Sequence, residues 1–269
     1  LVRKKNVVNT MMTSIFIIGV GIVMWVLFGY SLSFAPSGNV FIGDFRWLGL
    51  EGVSLTEGYT DDASIPNMVF SAFQMMFAVI TPALITGAVA GRMKFKSIFV
   101  FTIFWSLIVY YPLAHMVWGQ GGLLGADGIG ALDFAGGDVV HISSGVSALV
   151  LCILLGKRHD YEHSIYRIHN IPTVVLGASL LMFGWFGFNA GSALAADGLA
   201  AHAFMTTGVS AAAAMLSWML CDIIKNKKPT LIGASTGMVA GLVGITPGAG
   251  FVPMWAAVII GLTTSPVCY

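Results

Sequence analysis

A few ionisable side chains fall inside long apolar stretches of the sequence, where they are candidates for chemistry. They are His115, Asp133, Asp138, His141, His202 and Asp222. A charged group within a membrane helix costs about 3 kcal/mol or more, so such groups are usually functional or paired. Imidazole and carboxylate groups accept and release protons, so the chemistry that these residues offer is proton handling.

The densest group of these residues lies in segment 133–145, at the start of one apolar stretch. Asp133 allows two interpretations: it caps a helix start by accepting backbone N–H bonds, or it belongs to a functional site. His141 is either a satisfied core histidine or a functional side chain. Asp138 precedes it by three residues, a spacing that puts both on one face of an α-helix.

Aromatic residues form a second pattern of candidates. Phe73 and Phe77 are one helical turn apart, and so are Trp185 and Phe188. Aromatic faces attract cations, although an aromatic stripe on a helix also serves ordinary packing. Both interpretations are open from spacing alone.

The elements that carry these residues are predicted from composition. Hydrophobic residues make up 57% of the 269 residues and charged residues 9%, too apolar for one water-soluble globule. A bilayer core of about 30 Å needs about 20 apolar residues per helix. We predict eight such helices, near residues 7–32, 65–90, 97–118, 136–156, 171–191, 199–224, 230–246 and 251–268.

The basic residues alternate between the predicted loops in the way that the positive-inside rule requires. One side receives four groups: Arg3, Lys4 and Lys5; Arg92, Lys94 and Lys96; Lys157, Arg158 and Arg167; and Lys225, Lys227 and Lys228. Only Arg46 of the 13 basic residues falls on the other side. We therefore expect both ends of this chain to be cytoplasmic and the protein to be a multi-pass protein of the cell membrane.

The external loop 33–64 carries acidic residues that offer a cation a mildly negative entrance. These are Asp44, Glu51, Glu57, Asp61 and Asp62, with Asp127 and Asp197 on the same predicted side. Glycine pairs four residues apart, at Gly87/Gly91, Gly187/Gly191 and Gly237/Gly241, predict close helix contacts.

Several function classes are disfavoured by the sequence. The formal net charge of +1 gives no basic footprint for a nucleic-acid partner. The three cysteines lack metal-ligand or disulfide spacing, and the histidines of segment 159–163 are weak evidence for a metal. We predict no metal, no cofactor and no enzymatic activity.

Separated motifs, in one consistent order, carry a resemblance to the ammonium transporter (Amt/MEP/Rh) family. They are segment 133–145, Ala72-Phe73-Gln74 with Phe77, segment 114–119, segment 185–192 and segment 241–247. Each motif alone is weak, and together they are specific. The resemblance covers essentially the whole chain.

The resemblance implies an all-α, polytopic membrane helix bundle in a single transmembrane domain over residues 1–269. The eight predicted helices correspond to the second to ninth of the family's eleven, so the family's inverted repeat is incomplete here. Of the family's two pore histidines, only the first has a counterpart, His141, and the second would follow Tyr269. The chain opens on Leu1 without a starting methionine or a signal peptide, and we expect it to be a fragment.

The resemblance also assigns site roles. Phe73, Trp118 and Ser192 would bind ammonium at the outer mouth, and Phe77 and Phe188 would gate the pore below it. His141 would be the pore histidine, and Asp133 and Trp185 would support the site. The implied partners are ammonium or ammonia, the lipid bilayer, two further copies in a homotrimer, and a cytoplasmic regulatory partner of the PII type.

Two alternatives to transport are open from the sequence. The same motifs would suit an ammonium-sensing membrane domain of a signalling protein, and a helical permease or channel unrelated to the family is the third interpretation. The chain also departs from the family pattern at Gly91, where an acid is common, and at Asp138. A carboxylate facing His141 would favour an imidazolium that repels cations, so we expect Asp138 to be turned away or otherwise satisfied.

Overall fold

A computed structural model describes residues 2–36, 39–126, 128–158, 161 and 168–269. Within these residues the regular secondary structure is helical, apart from an isolated bridge between Gly58 and Pro66. The predicted all-α class is therefore confirmed. Asp127, Arg167 and the histidines of segment 159–163 lie outside the described residues.

Helices long and apolar enough to cross a membrane account for most of the described chain. They are α1 (Lys4–Phe34), α2 (Asn67–Val89), α3 (Phe95–Trp118), α4 (Gly137–Leu155), α5 (Ile171–Gly191), α6 (Gly198–Asn226) and α7 (Leu231–Gly248). A shorter apolar helix, α8 (Met254–Cys268), follows them. These bounds agree within a few residues with the eight predicted segments. An apolar segment in lipid must satisfy its own backbone hydrogen bonds, and a helix does so, so the length of the apolar run sets the length of the helix.

Three of these helices contain π-helical turns that the sequence pattern does not predict. They lie at Trp25–Gly29 in α1, Ser106–Tyr110 in α3 and Gly137–Ile142 in α4. In a π-turn the hydrogen bonds run between residues five apart, and such turns occur frequently at functional sites. The third π-turn contains both Asp138 and His141.

The chain forms two compact units, each described here by itself. The first comprises Val2–Leu132 and Asp138–His169 and contains α1, α2, α3 and nearly all of α4. In it α2 packs against α1 and α4, and α1 packs against α3. The indole of Trp25 donates to the carbonyl of Ser71 at 3.1 Å, and the Tyr30 hydroxyl donates to the Asn67 side chain, so side-chain hydrogen bonds join α1 to α2.

The second unit comprises Asp133–Gly137 and Asn170–Tyr269 and contains α5 to α8. Three of its helices begin at side-chain caps: Asn170, Asp197 and Thr230 accept backbone N–H bonds at the starts of α5, α6 and α7. Helix α6 packs against α5, α7 and α8.

Glycines set the distance between α6 and α7. A Cβ added at Gly237 would lie 2.5 Å from the Trp218 Cβ, and one at Gly241 would lie 2.5 Å from the Ala214 Cβ. The predicted contact at this glycine pair is confirmed. An added Cβ at Gly87 or Gly187 would meet open space in the described chain, whereas one at Gly91 would meet the side chain of Asn6, so the prediction is not confirmed for these two pairs.

Large apolar side chains point outward along the helices. Ile153 is 70% exposed, Leu154 77% and Phe183 80%. Such surfaces are unfavourable in water and match the hydrocarbon region of a bilayer. Some buried hydroxyls donate within their own helix, as where Thr81 donates to the carbonyl of Phe77, one turn earlier, and others donate to a neighbouring helix, as where Ser210 donates to the carbonyl of Gly241.

Candidate functional site

Three predicted site residues of the first unit form one continuous aromatic cluster. Phe73 and Phe77 of α2 meet edge to face, with ring centroids 4.9 Å apart and an interplanar angle of 69°. Phe77 in turn meets Trp118, the last residue of α3, at 5.6 Å and 80°. Phe77 is buried, while Phe73 and Trp118 are half-buried and can offer ring surface to a ligand.

The predicted site residues of the second unit lie near the end of α5. The rings of Trp185 and Phe188 are 5.4 Å apart, and the Ser192 hydroxyl donates to the Phe188 carbonyl at 2.9 Å. Because that bond uses the hydroxyl proton, the Ser192 oxygen keeps lone pairs that can accept from a cation.

Trp185 is fixed by a partner that sequence reasoning missed. Its indole N–H donates to the Thr246 hydroxyl at 2.9 Å, and that hydroxyl donates to the Leu242 carbonyl at 2.7 Å. Beside it, the Asn189 amide donates to the Thr207 hydroxyl at 2.9 Å. These polar groups are all buried and uncharged. They hold the end of α5 against α6 and α7.

Asp133 caps the start of α4, as one of its two sequence interpretations predicted. Its buried carboxylate accepts from the backbone N–H of Gly136 at 2.7 Å and of Gly137 at 2.6 Å. The adjoining turn is close to α7, since a Cβ added at Gly137 would lie 2.3 Å from the Pro247 Cβ. Phe134 also donates its N–H to the Pro247 carbonyl at 3.0 Å. The carboxylate is thus held in place beside the segment that leads to His141.

His141 and Asp138 are both half-buried, in the π-turn Gly137–Ile142. The expectation that their spacing puts them on one α-helical face needs correction. With hydrogen bonds that span five residues the turn is wider, and positions three apart no longer line up as in an α-helix. That Asp138 is turned away from His141 stays a prediction.

The loop between α1 and α2 contains titratable groups whose pKa values are shifted. The hydrogen bond and charge of Arg46, 2.7 Å from Asp44, hold the pKa of the Asp44 carboxyl below its usual range. Tyr59 stacks on Phe70, with centroids 4.7 Å apart, and burial raises the pKa of its phenol to about 12. In the part of the chain that the structure describes, no three His, Cys, Asp or Glu residues are grouped as metal ligands.

Apolar helices long enough to cross a membrane define a multi-pass membrane protein. Aromatic and hydroxyl groups lie at the ends of some of these helices, and α4 carries His141. The family model described as Ammonium Transporter Family matches residues 1–269, and the chain belongs to this family. That family consists of transporters and channels rather than enzymes.

Individual relatives support the same assignment. The chain is 52% identical to an ammonium transporter of Bacillus subtilis over 269 residues, which cover all of this chain and 65% of that protein. It is similar to the crystal structure of Saccharomyces cerevisiae Mep2, with a TM-score of 0.86, 40% identity, and coverage of 96% of this chain and 59% of the other.

A solved structure titled Sensor Amt Protein is also similar, with a TM-score of 0.86 and 30% identity. That match covers 99% of this chain and 66% of the other. The chain spans less than two thirds of the length of these relatives.

Proposed function

We propose that the intact protein transports ammonium across the membrane. The observation that carries this proposal is the edge-to-face cluster of Phe73, Phe77 and Trp118 in a member of the ammonium transporter family. Phe73 and Trp118 bind the cation at the outer mouth together with the Ser192 oxygen. Phe77 and Phe188 form the gate below this site.

The physical problem of transport is the charge of the substrate. Moving an ammonium-sized ion into a low-dielectric medium has an idealised cost of about 20 kcal/mol. A desolvated cation gains about 2 kcal/mol from an aromatic face, so the outer cluster can recruit the ion without carrying it through the bilayer. Ammonium therefore passes a proton to water above the gate, and neutral ammonia crosses the apolar path while the proton takes a separate path.

His141 lines that path in this mechanism. A neutral imidazole has one donor and one acceptor nitrogen, so it can hold ammonia or water in line. Asp133 supports the outer site by fixing the start of α4 through its two backbone bonds, and its role is structural and electrostatic. Trp185 supports the site by holding the end of α5, which presents Phe188 and Ser192.

The intact protein is expected to act as a homotrimer with one pore in each copy, and a cytoplasmic protein of the PII type is its expected regulator. Both expectations rest on the resemblance to the family. A second candidate function, ammonium sensing, is favoured by the similarity to the sensor Amt structure. Binding without flux would distinguish a sensor from a transporter.

Replacing Trp118 with leucine in the intact protein tests the recruitment site. Loss of the indole removes up to about 2 kcal/mol of cation attraction, so the half-saturating ammonium concentration should rise by up to about 30-fold. The maximal rate should change less, because the step beyond the gate does not involve the indole. Flux into liposomes over a range of ammonium concentrations measures both.

Trp255→Leu is the matched control, since that side chain is 67% exposed on α8 and outside the proposed site. It should leave the concentration dependence of flux as in the unmodified protein. An unchanged half-saturating concentration in Trp118→Leu would overturn the proposed recruitment site.

A further inference from the structure

His115 is a fully buried histidine whose two ring nitrogens both face backbone carbonyl oxygens. Its Nδ1 lies 3.1 Å from the carbonyl oxygen of Ser33, and its Nε2 lies 2.9 Å from that of Asn39. The side chain is 0% exposed. The ring thus lies between the last turn of α1 and the loop that follows it.

The chemistry of the two partners constrains the state of the ring. A carbonyl oxygen only accepts hydrogen bonds, and a neutral imidazole has one N–H donor and one lone pair. A neutral His115 would therefore direct a lone pair at one of the two carbonyls. An imidazolium donates from both nitrogens and satisfies both.

The position of His115 in its helix also favours a cation. His115 is in the last turn of α3, where the carbonyl end of the helix dipole is negative. Helix α3 ends three residues later at Trp118, and the His115 carbonyl accepts from the N–H of the following residue, Gly119, at 2.9 Å. Burial opposes the charge, and the two charge-assisted bonds and the helix end offset it.

The acidic side chains of the surrounding elements are paired elsewhere or exposed, and the two carbonyl oxygens are the partners of the His115 ring. Asp44 in the adjoining loop is paired with Arg46, and Glu51, Glu57, Asp61 and Asp62 are exposed. The same elements also carry the phenols of Tyr30, Tyr59, Tyr110 and Tyr111 and, among their basic side chains, Lys4, Lys5 and Lys96. Among the described residues no carboxylate forms an ion pair with this ring.

The ring is linked to the proposed outer site through the short end of α3. His115 precedes Trp118 by three residues, and Trp118 packs on Phe77. The chain after Trp118 has little room, since a Cβ added at Gly119 would lie 2.7 Å from the His115 Nδ1. A tether at His115 therefore fixes the helix end from which the indole projects.

We propose that His115 is a positioning residue of the outer site, and that as an imidazolium it donates to the carbonyls of Ser33 and Asn39 and so holds Trp118 against Phe77. The positioning role rests on the proposed function. The doubly protonated state of the ring does not rest on the proposed function, because it is inferred from the two carbonyl contacts and from the place of His115 at the helix end.

Nitrogen-15 NMR of the histidines in the intact protein in bilayers tests the charge state. His202 is the matched comparison, because its Nε2 lies 2.8 Å from the Val252 carbonyl oxygen, a contact that a neutral ring satisfies by donating one hydrogen bond. At about pH 7 His115 should show two protonated nitrogens and His202 one. His115→Gln and His202→Gln assign the signals. A neutral signature at His115, or the same state in both rings, would overturn the proposal.

Flux of ammonium in the same variants tests the positioning role. His115→Gln should raise the half-saturating ammonium concentration several-fold with little change in maximal rate, whereas His202→Gln should leave both unchanged. An unchanged half-saturation in a folded His115→Gln protein would contradict positioning. If the unmodified protein gave no flux, the proposed function would fail, and the NMR result on that protein would still decide the charge state.

Discussion

Tyr59 shows how a single half-buried residue can order one end of the first unit. Its hydroxyl donates to the Phe34 carbonyl at 3.0 Å and accepts from the Gln120 N–H at 3.1 Å, while its ring stacks on Phe70. The hydroxyl thus joins the end of α1 to the segment just beyond Trp118. Removing its proton would leave a buried phenolate facing the Phe34 carbonyl.

We predict that Tyr59 ionises near pH 12 rather than near the ordinary value of about 10. Burial raises its pKa, so the folded state prefers the neutral phenol. Its contribution to stability is complete below about pH 10 and is lost as the pH rises through about 12. The difference in phenolate absorbance between the unmodified protein and Tyr59→Phe measures this transition, and ionisation near pH 10 would show that the phenol is not buried as described.

At the residue scale, sequence reasoning located candidate side chains but not their partners. Asp133 as a helix cap was predictable, because the signal is a local one of an acid before an apolar run. The Trp185–Thr246 bond joins residues 61 positions apart, and no periodicity reports such a pairing. Both contacts of His115 are likewise made with backbone atoms of a distant segment, which leave no pattern in the side chains.

At the scale of elements, the contact between α6 and α7 depends on glycine. Gly241 faces the Ser210 carbonyl, and an added Cβ would lie 2.5 Å from that oxygen. Across a membrane interface, such close backbone approach strengthens packing between helices. A side chain at this position must therefore push the two helices apart.

We expect Gly241→Ala to destabilise the protein by about 1–3 kcal/mol, the usual range for overpacking. Gly177→Ala in α5 is the control, since its added Cβ meets open space and alanine is the better helix former. Thermal unfolding in detergent compares the two variants. Equal stability of both variants and the unmodified protein would mean that the described α6–α7 distance is wrong.

The helices themselves were predictable because their cause is local: each is a long apolar run bounded by polar residues or by proline and glycine. The π-turns were not, since a π-turn and an α-turn can contain the same residues and differ only in hydrogen-bond partners. The glycine pairs were predicted to be alike, yet Gly237 and Gly241 face a neighbouring backbone, while an added Cβ at Gly87 or Gly187 would meet open space in the described chain. Which face of a helix meets another is a property of the assembled unit.

At the scale of the whole molecule, the orientation in the membrane is still a prediction from charge. Glu57 and Lys94 are exposed residues of the first unit, on opposite predicted sides. The single transmembrane domain over residues 1–269 also stays a prediction.

Cysteine labelling tests the orientation in the intact protein, after replacement of Cys152, Cys221 and Cys268. An impermeant reagent applied outside should label Glu57→Cys and leave Lys94→Cys unmodified until the membrane is opened. Opening the membrane is the control that both positions can react. Labelling of position 94 alone from outside would reverse the topology.

Ammonium flux through the purified, intact protein in liposomes tests the central claim most directly. The account predicts saturable flux of ammonium that exceeds the flux in empty liposomes and strongly exceeds that of sodium or potassium, because hydrated ions do not pass the aromatic gate. Ammonium binding without flux would identify a sensor, and comparable flux of all three cations would identify an unselective channel. Either result would contradict the proposed transport function.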